Sequence, residues 1–169
     1  MKLPNHTALK EWSSVIEALD TGRQTILIRK GGIADPMFGV EAERFYLLPT
    51  YFHTTGLPAE SLAVTHWCEV VQTWRIHDLE KLYALEPLTI FTRANLDERY
   101  RFRPDQAIHV IAVRAMRLPA TVMIPAKPEY GGCRSWISID EEIEVDGSVA
   151  VLTPGDVERI VAEVQSMIG

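Results

Sequence analysis

The two longest β-type segments of the sequence constrain its fold more than any other feature. Residues 62–76 and residues 107–118 alternate between two faces, and each segment carries apolar side chains on both faces. Strands of this kind are covered on both sides, at least in part. Long helical patterns do not alternate regularly with the strands, which argues against a doubly wound α/β fold. We therefore expect an α+β fold with a mixed or antiparallel sheet, curled into a small barrel and flanked by helices.

Shorter patterns predict the remaining elements. Apolar residues at three- and four-residue spacing predict a helix over residues 7–20, with Thr7 as its N-cap. Further strands are predicted over residues 24–30, 44–48 and 135–139. Prolines at 119, 125 and 128 predict an irregular segment after Leu118.

The C-terminal part of the chain combines two predicted elements with a strongly acidic composition. The Asp-Gly pair at 146–147 predicts a hairpin over residues 143–151, and Thr153, Pro154 and Asp156 predict the start of a final helix. The net charge is −6, and residues 138–169 hold eight acidic residues and one basic residue. We interpret residues 1–169 as a single domain with residues 140–168 as an appendage. The acidic face over 140–163 is a candidate surface for a protein partner.

Several classes of function are excluded or disfavoured. The sequence has no glycine-rich phosphate loop, and Cys68 and Cys133 are too far apart to form a local zinc motif. His66 beside Cys68 is interpreted as a hydrogen-bonded core histidine. We expect no metal and no cofactor. Apolar runs are too short to cross a bilayer, the first residues lack the apolar stretch of a secretion signal, and cysteine is scarce, so we expect a cytoplasmic protein without membrane association.

Polar residues at three strand ends form the candidate ligand site. Two bases and two glycines end the strand over 24–30, an arrangement suited to an anion or phosphate. A loop after the strand over 44–48 carries a tyrosine and a histidine, and an arginine follows the cysteine in the turn before residue 135. The predicted binding residues are Arg29, Lys30, Gly31, Gly32, Tyr51, His53 and Arg134.

The same residues leave three functions open. The first is a noncatalytic domain that binds a nucleic acid or a nucleotide-like anion, and residues 93–117, with six arginines against three acids, add local positive charge. The second is an enzyme that uses Cys133 as a thiol nucleophile or His53 as an acid–base group. The third is an interaction module that binds a protein through its acidic C-terminal region.

Three segments carry a resemblance to a known family. They are residues 24–33, 45–53 and 128–136, which read QTILIRKGGI, FYLLPTYFH and PEYGGCRSW. Together they resemble the bacterial family catalogued as domain of unknown function 1802, over most of the chain from Leu9 to beyond Trp136. The family has no established activity. Some relatives are joined to restriction-endonuclease-like domains, so the resemblance implies a link to DNA restriction or modification.

A second resemblance concerns the start of the first predicted strand. The ASCH branch of the PUA-like barrels carries Gly-x-Lys-x-x-Glu-x-Arg after a helix. Gly22 and Arg29 match this spacing, while Gln24 and Leu27 replace the Lys and the Glu. The resemblance implies a small PUA-like barrel and an association with RNA or nucleotides.

Overall fold

A computed structural model describes residues 2–31, 38–50, 60–132 and 134–169 of the chain. Its strands are β1 (Thr7–Trp12), β2 (Ile26–Arg29), β3 (Arg44–Thr50), β4 (Ser61–Ile76), β5 (Ile108–Pro125), β6 (Trp136–Ser138) and β7 (Val149–Ala150). Its helices are α1 (Ser13–Asp20), α2 (Leu79–Ala84), α3 (Arg93–Arg101) and α4 (Pro154–Ile168).

One mixed sheet organises the described residues. Its strands are ordered β2-β5-β4-β3-β1-β6, and β7 pairs with β5. The β1–β3 pair is parallel and the other pairs are antiparallel. The sheet is curled into a half-barrel flanked by helices, which confirms the predicted α+β class.

The core lies on both faces of the sheet, as the two-sided apolar strands require. In β3, Phe45 and Leu47 belong to one apolar cluster, while Tyr46 and Leu48 belong to the other. Neighbouring residues of a strand point to opposite faces, so β3 is buried from Phe45 to Pro49 because each face has its own core. The long pairing of β4 with β5 forms the spine of the sheet, with register irregularities between Val64 and His66 and between Val70 and Gln72.

The predicted helix over residues 7–20 is wrong in its first half. Thr7–Trp12 forms β1, which lies between β3 and β6, and α1 begins only at Ser13. Thr7 is therefore not an N-cap. Local spacing favours a helix here, but pairing with strands distant in sequence overrides that preference.

Two predictions after residue 118 are also corrected. Strand β5 continues through Pro119 and ends at Pro125, where a proline at a strand end loses little pairing. The predicted hairpin over 143–151 keeps its tight turn, in which Ser148 N donates to Val145 O over 3.1 Å and Gly147 has a φ of +85°. The flanking residues do not pair with each other, because Glu144 bridges Lys2 and β7 pairs with β5.

The final helix is confirmed. Helix α4 spans Pro154–Ile168, and the Thr153 hydroxyl accepts from Asp156 N over 3.2 Å. Val164 and Ile168 belong to one apolar cluster and Ile143 and Val145 to the other, so residues 140–168 contribute to both. Within the described ranges, no helix combines the length and apolar character that a membrane span needs.

Candidate nucleic-acid interface

The end of β2 meets β1 and the turn before β6. The guanidinium of Arg29 donates to the carbonyl of Lys10 over 3.0 Å, to the carboxylate of Glu11 over 3.1 Å and to the hydroxyl of Ser135 over 2.9 Å. Strands β2 and β6 stand at opposite ends of the strand order. Arg29 therefore links the two ends of the curled sheet through its side chain.

A second cation of the same strand end is held by a helix. Lys30 is buried, and its ammonium donates to the carbonyls of Arg99 and Tyr100 over 3.2 and 2.9 Å. These carbonyls lie in the last turn of α3, where the helix dipole favours a positive charge. Burial lowers the pKa of Lys30, against the opposing influence of Asp105. The Lys30 ammonium thus joins β2 to α3.

Helix α3 also places a guanidinium against two aromatic rings. The guanidinium carbon of Arg99 lies 4.3 Å from the ring centre of Phe91 and 5.0 Å from that of Trp12. Burial lowers the pKa of Arg99 to about 10; Glu11 raises it and Arg29 lowers it further. The Arg99 side chain therefore remains a cation at neutral pH. The negative charge of Glu11 acts on both Arg99 and Arg29.

Glu11 is the acidic member of this cluster, and its side chain is only 2% exposed. Lys10, also buried, donates from its ammonium to the carbonyl of Gly132 over 2.5 Å. Gly132 has a φ of +83°, a conformation that favours glycine. Gly132 is thereby held against β1.

Further arginines adjoin these residues along the chain. Arg101 and Arg134 are exposed, and Arg134 directly precedes the Ser135 that Arg29 contacts. Phe102 is 44% exposed, and the guanidinium of Arg103 lies 5.2 Å from its ring centre. We call this surface the basic corner and define it by Arg29, Lys30, Arg99, Arg101, Phe102, Arg103 and Arg134.

The structure brings some of the predicted site residues together. Arg29, Lys30, Gly31 and Arg134 lie at the basic corner, with Gly31 buried beside the strand end. The other predicted residues lie outside the described residues and stay predictions: Gly32, Tyr51, His53 and Cys133.

Sequence reasoning missed four residues of this cluster: Lys10, Glu11, Arg99 and Ser135. Lys10 and Glu11 appeared to lie on the polar face of a helix, because residues 7–12 also fit a helical spacing. Arg99 lies in the arginine-rich segment over 93–117, and that local positive charge was the sequence feature that pointed to it. Nothing in the sequence indicated which of the segment's arginines lies within the electrostatic influence of Glu11.

The described residues form an α+β domain with an ASCH-like fold, in which the sheet is curled into a half-barrel. The family described as Domain of unknown function (DUF1802) matches residues 8–61 and 54–163, and the chain belongs to this family.

Solved structures of ASCH from Zymomonas mobilis are similar to the chain. A Ser-to-Ala mutant aligns with a TM-score of 0.54 and 10% identity, over 96% of this chain and 99% of that one. ASCH without a stated mutation aligns with a TM-score of 0.54 and 11% identity, over 92% and 93% of the two chains. At this identity the likeness shows the fold alone. No curated protein matches the chain.

Proposed function

We propose that the basic corner is a noncatalytic binding site for a nucleic acid or a nucleotide-like anion. The observation that carries the proposal is the charge around Glu11: among the described residues, Arg29 forms an ion pair with this buried carboxylate, and the guanidinium of Arg99 lies within its electrostatic influence. Charges removed from water need partners of opposite sign. An anion bound at the corner would balance the excess positive charge.

The outer part of the corner supplies groups that suit a phosphate backbone. Arg101, Arg103 and Arg134 carry planar guanidiniums, which bind phosphate oxygens with two parallel hydrogen bonds. The exposed ring of Phe102 can stack on a base, as aromatic side chains do in single-strand binding sites. The cations and the ring together favour a nucleic acid over a simple inorganic anion.

The acidic character of the whole protein does not oppose such binding. Some of its acidic side chains are paired within the fold: Asp140 with Lys127 at 2.8 Å, and Glu142 with Lys2. Surface charges act over about 8–10 Å at physiological salt, so the corner acts through its local field. With three phosphate contacts, the affinity would fall with a log–log salt slope of about −2.7.

DNA, RNA and free nucleotides are the ligands to test. The resemblance of the chain implies a link to DNA restriction or modification, and RNA and free nucleotides share the same phosphate chemistry. We expect the protein to act in the cytoplasm.

Fluorescence anisotropy with labelled DNA duplexes, RNA and a labelled nucleotide tests the proposal. Arg101→Ala, Arg103→Ala and Arg134→Ala, combined in one chain, remove the outer cations without disturbing the pair of Arg29 with Glu11. We expect the triple variant to bind at least about tenfold more weakly, because each of these cations binds a phosphate in the proposed complex. Arg159→Ala is the matched control, because Arg159 is exposed on α4. Absence of binding to all three ligands at low salt would overturn the proposal.

The other two functions stay predictions. An enzyme that uses Cys133 or His53 would depend on residues outside the described ranges. The acidic region over 140–163 stays a predicted surface for a protein partner.

A further inference from the structure

A pocket of about 570 Å³ lies between α1, the start of β4 and the middle of β5. Its walls include Ile16, Ala63, Leu118 and Pro119, and its polar groups include those of Asp20, Thr65, His66 and Arg117. This volume falls within the range of small-molecule sites, which combine apolar walls with a few placed polar groups. None of these residues belongs to the basic corner.

An irregularity in the β4–β5 pairing lies beside two adjacent side chains of this pocket that contact each other. The pairing of β4 with β5 shifts register between Val64, opposite Val122, and His66, opposite Arg117. In a regular strand Thr65 and His66 would point to opposite faces. Here the Thr65 hydroxyl oxygen lies 2.6 Å from Nδ1 of His66. Bulges often redirect side chains next to active sites.

The second nitrogen of the imidazole contacts a carboxylate. Nε2 of His66 lies 2.8 Å from Oδ1 of Asp20. An ionised carboxylate can only accept, so Nε2 carries the hydrogen. Nδ1 then holds the lone pair and accepts the hydrogen of the Thr65 hydroxyl. The three groups form a chain of hydroxyl, imidazole and carboxylate.

Arg117 fixes the carboxylate end of this chain. Its Nε donates to Oδ1 of Asp20 over 2.7 Å, and one of its terminal nitrogens donates to the Asp20 carbonyl over 2.9 Å. Burial opposes the ionisation of Asp20, but the hydrogen bonds from Arg117 and His66 outweigh it and lower the pKa of Asp20. Asp20 is therefore ionised at neutral pH.

His66 is itself nearly inaccessible, with 4% of its side chain exposed. Burial lowers the pKa of His66; Asp20 opposes this effect and Arg117 adds to it. Glu17 is the further charged residue that lines the pocket. At neutral pH the imidazole is uncharged and can accept a proton from Thr65.

We propose that this pocket is a hydrolase site for carboxylic esters of small acyl groups, in which Thr65 is the nucleophile, His66 its general base and Asp20 a positioning residue. The hydroxyl oxygen of Thr65 attacks the ester carbonyl carbon while its proton passes to Nδ1 of His66. The carbon–oxygen bond to the alcohol breaks, and the alcohol leaves with that proton. Water then attacks the acyl-Thr65 ester, gives its proton to Nδ1, and releases the carboxylic acid and the free hydroxyl.

The guanidinium of Arg117 fits the charge that develops in this reaction. Arg117 carries five N–H donors and uses two of them on Asp20. It can also donate to the oxyanion of the tetrahedral intermediate, the interaction that contributes most in such reactions. The short side chains of Ala63, Pro119 and Ala120 suit a small acyl chain.

The experiment uses the full chain with p-nitrophenyl acetate, butyrate and palmitate. We expect release of p-nitrophenolate above the buffer rate for the two short esters, and peptide mapping of quenched protein should find the acyl group on Thr65. Thr65→Val keeps the shape of the side chain and removes the hydroxyl, so it should lower the rate by about 100-fold or more. Thr65→Ser should retain activity, and Thr73→Val, at an exposed position of the same strand, is the matched control.

The roles of His66 and Asp20 are tested by measuring the hydrolysis rate as a function of pH. Asp20→Asn should lower kcat and shift the acidic limb of the rate profile, because Asn can present its amide and alter the imidazole tautomer. His66→Gln should abolish acylation, and equal unfolding midpoints in urea will show that each variant is folded. A wild-type rate equal to buffer, an acyl group found only on lysines, or a Thr65→Val variant as active as wild type would overturn the proposal. The triple arginine variant of the basic corner should keep full hydrolytic activity, so the two proposals fail independently.

Discussion

Replacing Arg29 by alanine removes one partner of the ion pair at the end of β2. The side chains of Arg29 and Glu11 are 12% and 2% exposed, so the variant leaves the Glu11 carboxylate buried and without its ion-pair partner. Breaking a buried ion pair in this way costs about 3–5 kcal/mol. Arg99 stays near Glu11 and offsets part of the loss. We therefore expect Arg29→Ala to lower the free energy of unfolding by about 3 kcal/mol.

Urea unfolding followed by tryptophan fluorescence measures this change. With an m-value of about 2 kcal/mol/M, a loss of about 3 kcal/mol lowers the midpoint by about 1.5 M. The matched control is Arg93→Ala, whose pair with Glu86 is 60% and 40% exposed at 3.3 Å and should contribute less than about 1 kcal/mol. In a double-mutant cycle, Arg29→Ala with Glu11→Gln should cost less than the sum of the two single variants.

An equal midpoint shift for Arg29→Ala and Arg93→Ala would refute this reasoning. It would mean that Glu11 is solvated well enough to stand alone. The proposed anion at the basic corner would then lose its physical basis as well, because its binding depends on a buried carboxylate that pairs with Arg29 and also acts on Arg99.

Three further predictions concern pH, thiol access and backbone conformation. Burial lowers the pKa of His66 and of His109 below the ordinary 6.5, so the unfolded chain binds protons at a higher pH than the folded chain does. The contribution of these two histidines to stability should be fully present above about pH 6.5 and should fall as the pH drops from there towards their folded-state pKa values. His66→Gln should reduce that fall in urea midpoints measured between about pH 5 and 8. Burial raises the pKa of the Cys68 thiol far above its usual range, so iodoacetamide should label Cys68 only in urea, and mass spectrometry showing its modification in the folded protein would contradict the buried position. Gly147→Ala should lower the free energy of unfolding by about 1–2 kcal/mol because its φ is +85°, whereas Gly39→Ala, with no atom within 4 Å of the added carbon, should change it little; equal melting temperatures for the two variants would count against the turn geometry.

The sequence alone was sufficient for the fold class and for several elements. Two-sided apolar strands require cover on both faces, and β3 shows that cover in two separate clusters. Helix α4 was predictable because its start depends on neighbours within three residues, as Thr153 and Asp156 show. The turn at Gly147 was predictable for the same reason, since an Asp-Gly pair adopts it locally.

The candidate site was predictable only in part. Arg29, Lys30 and Arg134 stood out because cations near glycines at predicted strand ends can be recognised from the sequence alone. Their partners were not visible, because the Glu11 that Arg29 contacts lies on a segment whose spacing also fits a helix.

Tertiary structure alone decided which segments pair and which charges meet. Residues 7–12 form β1 because β3 and β6 provide backbone hydrogen-bonding partners on both sides. The stability gained from that pairing is not reflected in the local sequence pattern. Thr65 contacts His66 beside an irregularity in the β4–β5 pairing, and His66 contacts Asp20 at a helix end 46 residues away in sequence. Local periodicity determines the kind of element a segment favours, while hydrogen bonds and charges between distant segments determine the neighbours that it finally has.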